Sequence, residues 1–181
     1  MNNRNRIKVM YLLGTFEIGG VEAHTVRQIS VMRRMAPEVE IVLCACRGGA
    51  LEDQARERGA ADDFDVVTLN KRRTAIPSFL RDLRSIIRDH RPDIVHAFNF
   101  GPCLWLRLLN LPDGVKTVCH YRGVSNVAKT WSRWIEKILR RRTDFFLFNS
   151  EATAKAYNHC LRLGTSQGVI HNGVEIALHS P

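Results

Sequence analysis

The sequence predicts an α/β fold in which a doubly wound, Rossmann-like parallel sheet is covered by helices on both faces. Short apolar segments rich in β-branched residues alternate with longer amphipathic segments along the chain. Several short segments, such as residues 41–45, are almost entirely apolar, as strands buried on both faces require. The chain of 181 residues is 45% hydrophobic and 25% charged, which fits one globular domain.

The elements follow one another in strand–helix order. A polar, basic start leads into the first strand, Gly19-Gly20 opens the first helix, and Ser150 is well placed to cap the last one. The predicted strands span residues 7–13, 40–46, 66–69, 94–98, 116–120, 145–148 and 169–170. The predicted helices span residues 21–35, 51–58, 77–90, 102–111, 127–142 and 152–163.

Polar and glycine-rich stretches follow the predicted strands directly. Ligands of doubly wound sheets bind beyond the carboxyl ends of the strands, so these stretches predict one ligand-binding face. They span residues 14–20, 71–73, 96–101, 120–122 and 149–151.

Positive charge is concentrated in two parts of the chain, whose net charge is +9. Residues 71–91 hold seven basic and two acidic side chains, and residues 121–142 hold seven basic and one acidic. Such patches attract phosphate groups of nucleic acids, anionic lipids or phosphorylated substrates. Because the basic residues lie on helices of a ligand-binding fold and no nucleic-acid module occurs, we expect no nucleic-acid partner.

The five cysteines predict neither a disulfide framework nor a metal site. Their number is odd, no secretory signal is found, and no CxxC pair occurs. Cys44 and Cys46 lie in an apolar run and are expected to be buried. A dinucleotide dehydrogenase is the least favoured function, because no GxGxxG motif follows the first strand and no acidic residue ends the second. Since no apolar run could span a bilayer, we expect a cytoplasmic protein.

Glycine and histidine residues on the predicted ligand face allow two explanations each. Gly19-Gly20 permits close approach of an anionic ligand to a helix N-terminus, or it forms a turn that needs a positive φ. A lone histidine is commonly structural, but the strand-end position of His120 favours a functional role. His96 is expected to be architectural, hydrogen-bonded under its loop, and Asn99 to line the cleft.

Two basic segments also remain open to two explanations. Lys71, Arg72 and Arg73 form either a solvated charge run or a clamp for an acceptor phosphate or lipid headgroup. In the predicted helix 127–142, we expect one apolar face to pack on the sheet. The alternatives are a helix lying in a membrane interface, or a basic flank that touches anionic lipid. That face consists of Trp131, Trp134, Ile135, Ile138 and Leu139.

Three motifs occur in the order and spacing of one enzyme family. They are Gly19-Gly20-Val21-Glu22, Arg91-Pro92-Asp93-Ile94-Val95-His96 and Val169-Ile170-His171-Asn172-Gly173-Val174. Together they resemble the N-terminal half of a retaining GT-B glycosyltransferase of family 4. The chain departs from the family pattern at Val21, usually alanine, at Phe98, often histidine, and at Tyr121-Arg122, where an acidic or small residue usually follows the histidine.

The resemblance implies transfer of a sugar from a nucleotide-sugar donor to an acceptor hydroxyl with retention and without a metal or cofactor. It implies a catalytic role for His120 beside the donor sugar. It also implies an acceptor from lipopolysaccharide, exopolysaccharide or another glycan pathway, with possible peripheral contact to an anionic membrane. Donor-phosphate or acceptor binding is implied for Gly19, Gly20, Glu22, Asn99, Arg122, Ser150 and Glu151.

The donor-binding half of such an enzyme is not recognisable in this chain. Family enzymes carry two glutamates eight positions apart in that half, and no two glutamates here have this spacing. We therefore expect residues 1–181 to be one acceptor-side domain of a longer enzyme whose C-terminal donor-binding domain is absent, with negligible activity alone. The alternative is a stand-alone Rossmann-like binding or partner-docking module.

Overall fold

The computed structural model describes residues 6–70, 75–164 and 166–173, and it confirms the predicted fold class. Within these residues, seven parallel strands form one sheet in the order β3-β2-β1-β4-β5-β6-β7. Each strand begins and ends within two residues of its predicted bounds. The strands are β1 (Ile7–Leu13), β2 (Val39–Ala45), β3 (Asp65–Thr68), β4 (Ile94–Phe98), β5 (Lys116–Tyr121), β6 (Phe145–Phe148) and β7 (Gln167–Val169).

The strand order reverses between β1 and β4. From β1 the chain moves outward to β2 and β3, then returns to β4 on the other side of β1 and continues outward to β7. Tyr11 of β1 therefore lies opposite Leu43 of β2 on one side and His96 of β4 on the other. A sheet of this order leaves a crevice at the carboxyl ends of its two central strands.

Helices cover both faces of the sheet, each over its own apolar cluster. Tyr11 and Phe98 belong to one cluster and Leu12 and Tyr121 to the other, because successive strand residues point to opposite faces. The first face is covered by α1 (Gly20–Met35) and α2 (Glu52–Asp62). The second is covered by α3 (Ile76–His90), α4 (Phe100–Leu108), α5 (Ser125–Ala128) and α7 (Glu151–Leu161).

All five cysteines lie within the described residues, and none of them forms a disulfide bond. Cys44 and Cys46 are buried in the second cluster, as predicted.

The predicted helix 127–142 is divided into three pieces. Lys129 is extended, with φ −89° and ψ 128°, and it separates α5 from α6 (Thr130–Leu139). A 3₁₀ turn, Arg140–Arg142, then leads towards β6.

The orientation predicted for α6 is wrong. Trp131, Trp134 and Ile138 are 57%, 64% and 70% exposed, whereas Ser132 and Glu136 are fully buried. The helix therefore turns a polar side inward and most of its apolar face outward.

A buried ion pair explains this orientation. Arg107 of α4 donates two hydrogen bonds to Glu136, from Nη1 to Oε2 at 2.8 Å and from Nη2 to Oε1 at 2.9 Å. The Tyr121 hydroxyl donates to Glu136 Oε1 at 2.7 Å and accepts from Arg107 Nη2 at 3.1 Å. Burial alone would lower the pKa of Arg107, but its hydrogen bond to Glu136 and the electrostatic effects of Cys119, Tyr121 and Glu136 together outweigh burial and raise the pKa. Because a buried charge is stable only when paired, α6 must present Glu136 to α4 and β5.

Candidate functional site

The carboxyl ends of β1, β4 and β5 lie near one another and carry most of the predicted site residues. Phe98 at the end of β4 pairs with His120 near the end of β5. The backbone N–H of Asn99 donates to the His120 carbonyl oxygen at 2.7 Å. The loop from β1 to α1 ends at Gly20, which opens α1 on the same side of the sheet. These residues lie at one edge of the sheet, as the sequence predicts, and we call this edge the crevice.

His96 and His120 form a hydrogen-bonded pair in the floor of this crevice. His96 Nε2 lies 3.2 Å from His120 Nδ1. The sequence predicted a hydrogen-bonded His96 ring under its loop, and the partner in the structure is His120 of the neighbouring strand. His120 is only 4% exposed, and within the described ranges its Nε2 has no hydrogen-bond partner. That nitrogen is a donor in one tautomer of the pair and an acceptor in the other, so either tautomer leaves it available to a ligand.

Both histidine rings are neutral at neutral pH. Burial is the main cause, and it lowers the pKa of His96 and of His120 to about 3. The positive charge of Arg122 acts in the same direction on both rings. His120 can therefore bind a hydroxyl or a phosphate oxygen as a neutral imidazole.

Phe98 and Arg122, two departures from the family pattern, contact each other. Arg122 Cζ lies 5.6 Å from the centroid of the Phe98 ring, a cation–π arrangement. The Phe98 ring in turn lies 4.5 Å from the His96 ring and 5.1 Å from the His120 ring. Burial lowers the pKa of Arg122, and the charge of Glu22 opposes that shift. Arg122 Nε is buried without a hydrogen-bond partner in the described part of the chain.

Side-chain amides tie three adjacent strand ends together. The backbone N–H of Arg122 donates to Asn99 Oδ1 at 3.3 Å, and Asn149 Nδ2 donates to the Arg122 carbonyl at 3.4 Å. Asn99 has φ 62° and ψ 179°, a backbone conformation that is costly for any residue other than glycine. Such a conformation persists only where its surroundings fix it, and the bonds of Asn99 to β5 do so.

The two glycines of the first motif are not needed for a left-handed turn. Gly19 is extended, with φ −153° and ψ 157°, and neither glycine has a positive φ. The explanation as a turn that needs a positive φ is therefore wrong. A Cβ added at Gly19 would collide with the Glu22 carboxylate, whereas one added at Gly20 would meet no atom within 4 Å. Gly20 is exposed at the start of α1, where the N–H groups of the helix can receive an anion.

The other predicted site residues have different surroundings. Ser150 Oγ accepts from the Thr153 backbone N–H at 3.2 Å, so it caps α7 as predicted. Glu151 is exposed in the first turn of α7. Lys71, Arg72 and Arg73, and Val174 at the end of the third motif, lie outside the described residues.

Sequence reasoning misses His24, which also reaches the crevice. It lies one helical turn after Gly20 on α1 and is partly buried. Burial, followed by the charges of Arg122 and Arg27, lowers the pKa of His24. Its own charge contributes to the lowered pKa of His120, so the two rings lie within electrostatic reach. His24 follows Gly20 by four residues, so it lies on the same side of α1 as the helix start. This spacing could have identified His24 from the sequence.

Acidification is expected to destabilise the chain through the His96–His120 pair. The pKa of each ring is about 3 in the folded chain and 6.5 ordinarily, so the unfolded chain binds more protons below pH 6.5. The stability present above pH 6.5 is then lost as pH falls towards 3, by at most about 1.4 kcal/mol per pH unit for each ring. Urea unfolding at pH 7 and pH 5 measures this loss. The double variant His96→Gln/His120→Gln should lose less stability over that interval, and an equal loss would contradict the prediction.

In a doubly wound fold, ligands bind at the carboxyl ends of the strands, where His120 and Arg122 lie. The sequence model described as Glycosyltransferase Family 4 matches residues 18–178, nearly the whole chain. The chain therefore belongs to glycosyltransferase family 4, which confirms the resemblance of its three motifs. Among curated proteins, no sequence matches this chain.

Comparison with solved structures confirms that the chain has the fold of one half of a GT-B enzyme. The structure of HepE from Anabaena, in complex with UDP and glucose, is 15% identical with a TM-score of 0.70, and the match covers 94% of this chain and 45% of that one. A glycosyltransferase from Rickettsia africae is 13% identical with a TM-score of 0.71, over 94% of this chain and 44% of that one. The lipopolysaccharide outer core galactosyltransferase WaaB is 12% identical with a TM-score of 0.68, over 95% and 47%. The chain thus spans less than half the length of each of these structures.

Proposed function

We propose that this chain is the acceptor-side domain of a retaining glycosyltransferase that moves a sugar, of the hexose class, from a nucleotide-sugar donor to an acceptor hydroxyl. A C-terminal domain that binds the nucleotide would complete the cleft. The acceptor would belong to lipopolysaccharide, exopolysaccharide or another glycan. We expect a cytoplasmic enzyme, with peripheral contact to the inner face of the membrane, that uses no resident metal or cofactor.

The observation that carries this proposal is the pair of unpaired polar nitrogens in the crevice. His120 Nε2 and Arg122 Nε are both buried without partners in the described ranges, although unmet polar groups are costly inside a protein. They adjoin the same aromatic ring, that of Phe98. A ligand with oxygen atoms and negative charge would satisfy both nitrogens.

The charges and dipoles of the crevice suit the transfer of a sugar from a diphosphate. The bond between the anomeric carbon and the diphosphate breaks while the acceptor oxygen bonds to that carbon from the same face, so negative charge develops on the leaving phosphate. The proton of the acceptor hydroxyl passes to the departing phosphate oxygen. The start of α1 at Gly20 and the guanidinium of Arg122 would stabilise this charge. The neutral His120 ring would hydrogen-bond a sugar hydroxyl or the reacting oxygen atoms. Glu22 and Asn99 would keep Arg122 in position.

Association with a membrane would be peripheral in this proposal. In the part of the chain that the structure describes, no helix is both long and apolar enough to cross a bilayer. WaaB, by its name, acts on the lipopolysaccharide outer core. The similarity to WaaB supports a lipid-linked acceptor for this chain. The basic helices of this chain support the same acceptor.

The decisive experiment tests the enzyme that contains this chain together with its C-terminal half. Purified enzyme would be incubated with a panel of nucleotide-sugars and lipid-linked or phosphorylated glycans, and the product configuration would be read by NMR. We expect one donor to yield a product with the anomeric configuration of the donor. An inverted product would refute retention. Ligand binding without transfer would instead favour the binding-module alternative.

Replacing Gly20 by alanine separates binding from folding. We expect stability to stay equal or to rise by about 0.5–1 kcal/mol, because alanine is the better helix former and its Cβ meets nothing within 4 Å. Transfer should nevertheless fall, since the added methyl group occupies the space that the ligand needs. Thermal unfolding and kcat/KM of the same variant measure the two effects. Gly123→Ala, also without a contact within 4 Å of the added Cβ, is a control for a harmless methyl group in the fold. Unchanged kcat/KM in Gly20→Ala would exclude Gly20 from the ligand site.

A further inference from the structure

We propose that the outward side of α6 and the pocket beside it dock on an anionic lipid bilayer. The apolar ridge consists of Trp131, Trp134 and Ile138, all more than half exposed. The pocket lies between α6 and α7 and has a volume of about 330 Å³. Its lining residues are Thr130, Arg133, Trp134, Lys137, His159 and Cys160. This inference rests on the proposed peripheral contact with a membrane and specifies where that contact lies.

The ridge has the form of an interfacial helix. Its three residues are spaced i, i+3 and i+7, so they lie on one side of α6. Trp131 packs edge-on against Phe100 with ring centroids 5.4 Å apart, yet it remains 57% exposed. Several large apolar side chains exposed together mark an interaction surface rather than ordinary surface scatter. Tryptophan favours the boundary between headgroups and acyl chains, so the ridge suits a bilayer surface.

The basic residues next to the ridge have no carboxylate partners. Over the described ranges, none of Lys129, Arg133, Lys137 and Arg141 lies within ion-pair distance of an acidic group. Arg133 Nη2 donates to Thr130 Oγ1 at 3.3 Å, and Lys137 Nζ lies 5.8 Å from the Trp134 ring centroid. Both thus line the pocket with uncompensated charge beside an aromatic ring. That combination is complementary to an anionic headgroup whose acyl chains lie next to the ridge.

The same charges argue against a second copy of this chain as the occupant. A two-fold symmetric contact would place the basic edge of one α6 near that of the other, which is unfavourable. Trp131, at one end of the ridge, contacts Phe100, the residue after Asn99 of the crevice. Docking through the ridge would hold the crevice close to the surface from which a lipid-linked acceptor arrives.

Vesicle flotation tests the proposal without requiring transfer activity. The chain would be mixed with vesicles of phosphatidylcholine alone or of phosphatidylcholine with phosphatidylglycerol. We expect flotation only with the anionic vesicles. Arg133→Gln/Lys137→Gln should weaken binding by about thirtyfold, since each cation near such a surface contributes roughly fivefold. The matched control Arg81→Gln/Arg84→Gln removes the same charge from exposed positions on α3 and should bind within about threefold of the wild type.

The apolar contribution is tested by Trp131→Ser/Trp134→Ser/Ile138→Ser. We expect this variant to stay folded, because its inward side is unchanged, and to lose flotation. The control Met35→Ser removes an apolar side chain that is 81% exposed at the end of α1 and should bind normally. Equal flotation of the ridge variant and the wild type would refute the proposal. The proposal would also be refuted if the wild type bound no vesicles and formed a dimer in analytical ultracentrifugation that was lost in the ridge variant. Because the readout is lipid binding, failure of the glycosyltransferase proposal would show separately, as absent transfer with flotation intact.

Discussion

Replacing His120 by alanine in the enzyme that carries both halves is expected to lower kcat/KM by roughly 10²–10³-fold. The side chain removed has its Nε2 buried and, within the described residues, unpaired, and it lies within electrostatic reach of Arg122 and of His24 on α1. Its hydrogen bond to a reacting oxygen would strengthen as charge develops there. Steady-state kinetics with the identified donor and acceptor measure the loss.

Two further variants distinguish a catalytic histidine from a structural one. His90→Ala, a partly buried histidine at the end of α3, should keep wild-type kcat/KM. His120→Gln preserves a polar group in the crevice and should recover part of the stability but little of the activity. If thermal unfolding accounts for the whole loss in His120→Ala, or if kcat/KM is unchanged, the catalytic assignment is wrong. His96 is expected to act through His120, so His96→Gln should lower kcat/KM less.

Replacing Glu136 by alanine is expected to destabilise the domain by about 3–5 kcal/mol, the largest effect on folding that we foresee. Arg107, 1% exposed, would keep its charge but lose both hydrogen bonds to the carboxylate. The Tyr121 hydroxyl would lose its acceptor as well. Urea unfolding followed by circular dichroism gives the free energy of unfolding. A loss below about 1 kcal/mol would show that water or another group readily replaces the carboxylate.

Removing the whole polar cluster should be much less harmful than removing one member. In Arg107→Met/Tyr121→Phe/Glu136→Leu, no buried polar group of the cluster is left unpaired, and similar replacements elsewhere are neutral or stabilising. We therefore expect this triple variant to be more stable than Glu136→Ala. A matched surface control is Glu57→Ala on α2, which should change stability by less than about 0.5 kcal/mol because that side chain is exposed.

The fold could be predicted because its signals are local. The apolar, β-branched run at Ile7–Leu13 is a strand in the sequence and in the structure, with the same bounds. Ser150 caps α7 through a hydrogen bond to a residue three positions away. Signals of this range need no knowledge of the tertiary structure. Alternation of strands and helices then leaves few topologies for a parallel sheet.

The errors concern groups whose partners lie far along the chain. The orientation of α6 depends on Glu136 meeting Arg107 and Tyr121, which are 29 and 15 positions away. Periodicity identified the apolar side of that helix correctly, but not which side faces inward. The hydrogen bond between His96 and His120 likewise depends on the register of β4 against β5. The pairing of Phe98 with Arg122 turns two separate departures from the family pattern into one contact.

Because α6 turns its polar side towards the protein, its outward side can change during evolution. Its docking to the protein depends on a few hydrogen bonds of Glu136, so the outward residues contribute little to folding. Substitutions at Trp131, Trp134 and Ile138 can therefore accumulate without loss of the native state. Related domains could thus change the outward side of α6, and with it the surface that they bind, while the crevice at the strand ends stays intact. Evolution can thus change where the domain operates independently of what it binds.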